Sequence, residues 1–73
     1  MDAELIAILI RSGTKKDSAV ELSKKILSDV GNDLHELARL SVHDLKDYPG
    51  IGEAKALSIV AALELGRRRK DAW

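Results

Sequence analysis

The sequence predicts an all-α fold, and three observations carry that prediction. Leu, Ile and Val together number 21, while Phe is absent and Tyr and Trp occur once each. Ala, Leu, Glu and Lys, all strong helix formers, dominate the composition. β-branched residues never gather in the alternating run that a half-buried strand requires. The 73 residues, of which 45 % are hydrophobic and 33 % charged, read as one domain over 1–73. Below roughly 80 residues a single core supplies only about 3–5 kcal/mol, so each buried side chain matters.

The spacing of apolar residues predicts a bundle of five short helices. The first opens near Asp2, carries Leu5, Ile6, Leu9 and Ile10 on one face, and is expected to end at Gly13. Ser18 followed by Glu21 reads as a capping box for a second helix with an inward stripe of Ala19, Leu22, Ile26 and Val30. Gly31 stops that helix and Asn32 is placed to cap a short third one, with Leu34, Leu37 and Ala38 facing inward. Ser41 with Asp44 opens a fourth over 41–47, bearing Val42 and Leu45. Pro49 breaks the chain and biases Tyr48 toward extended backbone, and Gly50 and Gly52 follow at once. From Glu53 to about Arg69 the pattern is helical again and apolar almost all round, as expected of a central helix.

Several function classes are excluded or disfavoured at this level. With no cysteine there is no disulfide framework, thiolate zinc site or cysteine nucleophile. Twelve basic and twelve acidic residues give a formal net charge of zero. No apolar run approaches a membrane span, and no basic region precedes the first apolar stretch, so a cytoplasmic protein without membrane contact is expected. His35 and His43, with Asp33 or Asp44, sit on different short helices at a spacing that does not suit a metal site.

The informative stretch runs from Leu45 to Ala61. A short helix, two glycines two apart and a second helix are expected to leave the backbone N–H groups of Gly50, Ile51 and Gly52 pointing outward. There they would meet the positive end of a helix dipole, a ready site for a phosphate oxygen. Glycine permits the unusual dihedrals and lets a ligand approach the backbone closely. Phosphate contacts of this kind do not read sequence.

These residues, with Ala56, Ile59 and Val60 downstream, resemble the helix-hairpin-helix motif of DNA-repair and recombination proteins. The resemblance implies sequence-independent clasping of the DNA backbone. It leaves open a tandem arrangement similar to SAM and RuvA C-terminal-like domains. More narrowly, residues 2–14 and 61–68 resemble the N-terminal region of bacterial RadC-type proteins. In that family a JAB-type metal-binding domain follows; its ligands have no counterpart here, so the resemblance implies a non-enzymatic N-terminal module that targets an attached C-terminal domain to DNA. Some hairpins of the family hold a monovalent cation on backbone carbonyls, which leaves room for one here; no other cofactor is implied. Schiff-base glycosylases of the family carry their lysine where this chain has Ala54; Lys55 lies one position on, turned by about 100°.

The expected DNA-binding residues are therefore Gly50, Ile51, Gly52 and Lys55 at the hairpin, with the Tyr48 hydroxyl near the phosphate. Arg67, Arg68, Arg69 and Lys70 would form a second contact. Glu53 in the first helical turn suits the dipole but repels a phosphate at the same place. Residues 45–73 carry six basic and four acidic groups, and residues 1–44 six and eight, so attraction to DNA is expected to be weak and one-sided. A monomer is expected. The alternative is a protein-interaction or dimerisation module on the same scaffold, using the first helix around Ile8.

Overall fold

The computed structural model describes residues 2–14 and 17–71, with side chains through Arg69. It is all-helical: α1 (Asp2–Ile10), α2 (Ala19–Asp29), α3 (Leu34–Leu37), α4 (Val42–Lys46) and α5 (Glu53–Asp71), with no strand among the described residues. α1 packs on α2 and α4 on α5, and the two pairs join where α1 meets α5. The core takes Ile6 and Ile10 from α1, Leu22, Ile26 and Leu27 from α2, Leu37 from α3, Leu45 from α4, Ile51 from the turn, and Ala56 and Ile59 from α5. A fully buried Leu or Ile contributes about 1.5–3 kcal/mol, so this handful of side chains is what closes the bundle.

Each helix boundary has a local cause, and some differ from expectation. α1 stops at Ile10, not Gly13, because Arg11 takes the left-handed conformation at φ 71°. Gly13 serves space instead of helix termination. A Cβ there would lie 2.1 Å from the Asp17 carbonyl oxygen and 2.5 Å from the Ser18 carbonyl carbon. The loop folds tightly at this point, with the Thr14 N–H donating to Asp17 O at 2.7 Å and the Asp17 N–H donating to Thr14 Oγ1 at 3.0 Å.

Ser18 caps α2 by accepting from the Glu21 N–H at 3.1 Å. The Glu21 carboxylate is turned toward Lys24, 4.0 Å away. The stripe that α2 buries is Leu22, Ser23, Ile26 and Leu27, with Ala19 and Val30 at its margin. Ser23 is tolerated inside because its hydroxyl donates to Ala19 O at 2.7 Å, the usual i−4 bond of a helical serine.

Gly31 and Asn32 both take positive φ, 66° and 58°, so the chain reverses through both. Asp33, not Asn32, is consequently the cap of α3, accepting from the His35 N–H at 2.8 Å. A helix of four residues makes barely one turn and presents one side chain inward. Leu37 is that residue; Leu34 and Ala38, expected inside, are exposed. At α4 both halves of the Ser41–Asp44 capping box form, at 3.0 and 2.9 Å. The Ser41 amide and then its hydroxyl hold the Asp44 carboxyl below its ordinary pKa.

α5 is central but not enclosed. Ala56 and Ile59 are buried and Val60 and Leu63 lie against the core, whereas Leu57 and Leu65 are 50 % and 68 % exposed. Four short elements cannot surround a helix of 19 residues, so one apolar side of α5 faces out.

Candidate nucleic-acid interface

The turn after α4 is built by short-range bonds. The N–H groups of Asp47 and Tyr48 donate three residues back, to Asp44 O and Leu45 O, both at 3.2 Å, which tightens the last turn of the helix. Pro49 then ends it. The Ile51 N–H donates to Tyr48 O at 3.0 Å while the Ile51 side chain is buried. Ile51 therefore braces the turn with its side chain, but its amide is taken up by Tyr48 O and is not among the free donors.

Gly50 adopts φ 90°, a conformation that side-chain-bearing residues rarely take. The first helical bond of α5 runs from the Ala56 N–H to Gly52 O at 3.0 Å. No acceptor among the described residues takes the N–H groups of Gly50, Gly52, Glu53, Ala54 or Lys55. These donors sit at the positive end of a 19-residue helix, and Gly52 has open space where a Cβ would stand. The exposed Glu53 side chain rises from the same first turn.

Two of the expected contact side chains are engaged within the protein. The Tyr48 hydroxyl donates to the Asp29 carboxylate and so ties the end of α4 to the end of α2. Lys55 Nζ donates to Ser12 O at 2.9 Å and Ser12 Oγ at 3.1 Å, fastening α5 to the loop between α1 and α2. That loop also touches Gly50, where a Cβ would lie 2.4 Å from Thr14 Cγ2. Residues 11–14 and 48–52 thus form one surface, which places Ser12, Gly13 and Thr14 beside the candidate site. Sequence reasoning missed them. The available signal was a glycine followed by a capped helix at 13–19, the same order as at 50–53.

The basic run lies elsewhere. Arg67 is fourteen residues past Glu53, about 21 Å along the helix axis at 1.5 Å per residue. Arg67 donates to Glu64 at 3.0 and 2.7 Å, and Arg68 at 2.8 Å. Arg67, then Arg68, hold the Glu64 carboxyl down at about 2. Arg69 is exposed on the same helix end, and the Lys70 side chain lies outside the described ones. The run is a separate patch and not part of the turn. No three His, Cys, Asp or Glu side chains gather around a common point among the described residues. None of the described helices is long and apolar enough to cross a membrane.

Burial, with the hydrogen bond to Asp29 and that carboxylate's charge, pushes the Tyr48 hydroxyl up to about 12. A raised folded-state pKa means the folded protein keeps its proton where the unfolded chain has lost it. The resulting stability is fully present below pH 10 and is lost as pH rises toward 12. Ultraviolet titration of the single tyrosine should give a midpoint well above 10, and Tyr48→Phe should remove that part of the alkaline fall in stability. A midpoint at 10 in the folded wild type would show that the hydroxyl is neither buried nor held by Asp29 in solution.

The UPF0758 N-terminal family matches residues 1–57. A UPF0758 protein of Flavobacterium johnsoniae is 59 % identical over 69 residues, covering 94 % of this chain and 30 % of that protein. UPF0758 proteins of Desulfitobacterium hafniense and Rubrobacter xylanophilus are 49 % and 51 % identical, with 89 % and 92 % of this chain and 28 % and 29 % of theirs covered. The chain thus spans less than a third of the length of the curated relatives it matches. No solved structure is matched. With the family match running unbroken from the first helix through the turn into α5, the chain belongs to the UPF0758 N-terminal family.

Proposed function

We propose that this domain is a non-catalytic helix-hairpin-helix module that binds the DNA backbone without reading sequence and positions an attached domain on DNA. The observation that carries this reading is the turn at residues 48–52. Five unpartnered N–H groups, a glycine at φ 90° and a second glycine with open space where its Cβ would stand make a bare patch of backbone at the positive end of a long helix. A phosphate oxygen is the ligand such a patch suits, since it accepts several N–H bonds at once and needs the backbone accessible. The abutting loop at residues 11–14 widens the surface and brings the exposed Arg11 to its edge. Glu53 and the zero net charge keep the affinity low.

Amide chemical-shift titration with short duplex and single-stranded DNA tests this at low and moderate salt. Shifts are expected at Gly50, Gly52, Glu53 and Ala54. Engaging two or three phosphates implies affinity in the ~10⁻⁴–10⁻⁶ M range or weaker and a salt slope of roughly −2 to −3. Shifts confined to Arg67, Arg68 and Arg69 would place binding on the far patch and reject the turn. No shift at millimolar DNA would favour the second reading, a protein-interaction module. That reading draws on the exposure of Leu5 and Ile8, 62 % and 70 %, on α1.

A further inference from the structure

We propose that Arg11 is a phosphate-contacting residue of the DNA site and that Lys55 is the positioning residue that holds it there. This rests on the reading of the turn at residues 48–52 as the DNA-binding surface. Arg11 takes the left-handed conformation at φ 71°, directly after the last residue of α1. A side chain is disfavoured in that conformation and glycine is not, so glycine would serve the backbone better. No contact within the protein offsets that cost. The exposed Arg11 guanidinium makes no hydrogen bond or ion pair among the described residues.

The placement of Arg11 gives its side chain a use. Ser12, the next residue, takes the Lys55 ammonium on its carbonyl oxygen at 2.9 Å and on its Oγ at 3.1 Å. Lys55 stands in the first turn of α5. Thr14 fixes the other side of the same loop through its bonds with Asp17, and it touches Gly50. The Arg11 backbone is thereby held one residue from the lysine of a helix whose first N–H groups are open. A long side chain with a planar fork of donors suits the oxygens that a phosphate on those groups leaves free.

The distribution of charge supports this. Among the described cations, Lys24, Lys25, Arg39, Arg67 and Arg68 each lie within 4.0 Å of a carboxylate. Arg11, Lys46 and Lys55, which border the turn and its abutting loop, do not; nor does Arg69 at the far end of α5. Both acceptors of Lys55 are neutral, so its bond to Ser12 leaves its charge uncancelled. Unneutralised positive charge is thus gathered mainly beside the open amides, against Asp47 and Glu53.

The test measures binding of a short fluorescent duplex to the 73-residue chain over a range of salt, for wild type, Arg11→Gly, Lys55→Met and the double variant. Arg11→Gly should keep its urea midpoint at or above that of wild type, because glycine suits φ 71°. It should nevertheless bind about fivefold more weakly, with a salt slope shallower by about one. Lys55→Met keeps the aliphatic stem and should lower affinity by a similar factor. It should also move the amide shifts of Ser12, Gly13 and Thr14 in the free protein. Because the two residues act as one unit, the double variant should bind about as weakly as the weaker single variant. Normal binding by Arg11→Gly, while Gly52→Ala still loses affinity, would overturn the assignment and leave the turn as the site. Unmoved loop amides in Lys55→Met, or losses that multiply in the double variant, would overturn the positioning role and make Lys55 a separate contact. No binding by wild type, or wild-type affinity in Gly52→Ala, would reject the turn itself and this inference with it.

Discussion

Gly13→Ala is expected to bring the domain to the edge of unfolding in water, although it adds one methyl group to an exterior loop. The Cβ would sit 2.1 Å from Asp17 O, 2.5 Å from Ser18 C and 2.7 Å from Ala19 N. All three neighbours are backbone atoms, so no side chain can rotate aside. Relief requires residues 13 and 17–19 to separate, which strains the Thr14–Asp17 bonds and displaces the capped start of α2. Overpacking of this kind typically costs 1–3 kcal/mol, and each broken hydrogen bond adds about 1 kcal/mol. A total of about 3–5 kcal/mol equals what a domain this small holds in reserve. Urea unfolding followed by far-ultraviolet circular dichroism measures it directly. Gly66→Ala is the control: it lies within α5 with nothing within 4 Å of the added carbon, so it should stabilise the domain by up to about 1 kcal/mol. An unchanged midpoint for Gly13→Ala would mean that the loop does not close as described.

The same glycine shows what the sequence makes legible and what it hides. Five helices, their order, the Ser18 and Ser41 caps and the burial of Leu22, Ile26, Leu37, Leu45, Ile51, Ala56 and Ile59 all follow from apolar spacing and short-range capping. Those signals lie within a few residues of each other. The boundary errors arise where two residues compete for one local role. Arg11 reaches the left-handed region ahead of Gly13, and Asn32 takes positive φ, so its neighbour Asp33 becomes the cap. The reading of α5 as enclosed fails differently: an apolar sequence says that a helix prefers burial, but the number of partners available decides whether it is buried.

At the candidate site, the local part is readable and the long-range part is not. Glycines two apart after a proline mark a sharp turn before a helix, and the positive φ of Gly50 agrees. Nothing local announces that Lys55 reaches Ser12, 43 residues away, or that Tyr48 reaches Asp29, 19 residues away. Both side chains look available to a phosphate because an exposed polar tip and an internally bonded one carry the same letter. What remains open at the turn is backbone. A site made of N–H groups has no side-chain signature beyond the glycines that bare it.

That distinction separates two substitutions at the turn, and the pair carries the strongest test of the proposed DNA contact. Gly50→Val is expected to abolish binding, yet it also damages the fold. A β-branched residue at φ 90° is strained by about 1–3 kcal/mol, and its Cβ would lie 2.4 Å from Thr14 Cγ2. The Thr14 methyl cannot swing away freely, because Thr14 Oγ1 holds the Asp17 N–H. Stability should therefore fall by about 2–4 kcal/mol, and weaker binding alone would not distinguish a blocked phosphate from a damaged structure. Gly52→Ala has no such ambiguity. Its φ is not positive and no atom lies within 4 Å of the new carbon, so its unfolding free energy in urea titration should stay within about 1 kcal/mol of wild type. The methyl group would nevertheless stand on the open side of the turn, where a phosphate oxygen must come within hydrogen-bonding distance of the amides. DNA affinity is expected to fall about tenfold, with the salt slope shallower by about one for each phosphate no longer engaged. A stable Gly52→Ala protein that binds DNA as the wild type does would remove the turn from the interface, because no folding defect could then account for the result.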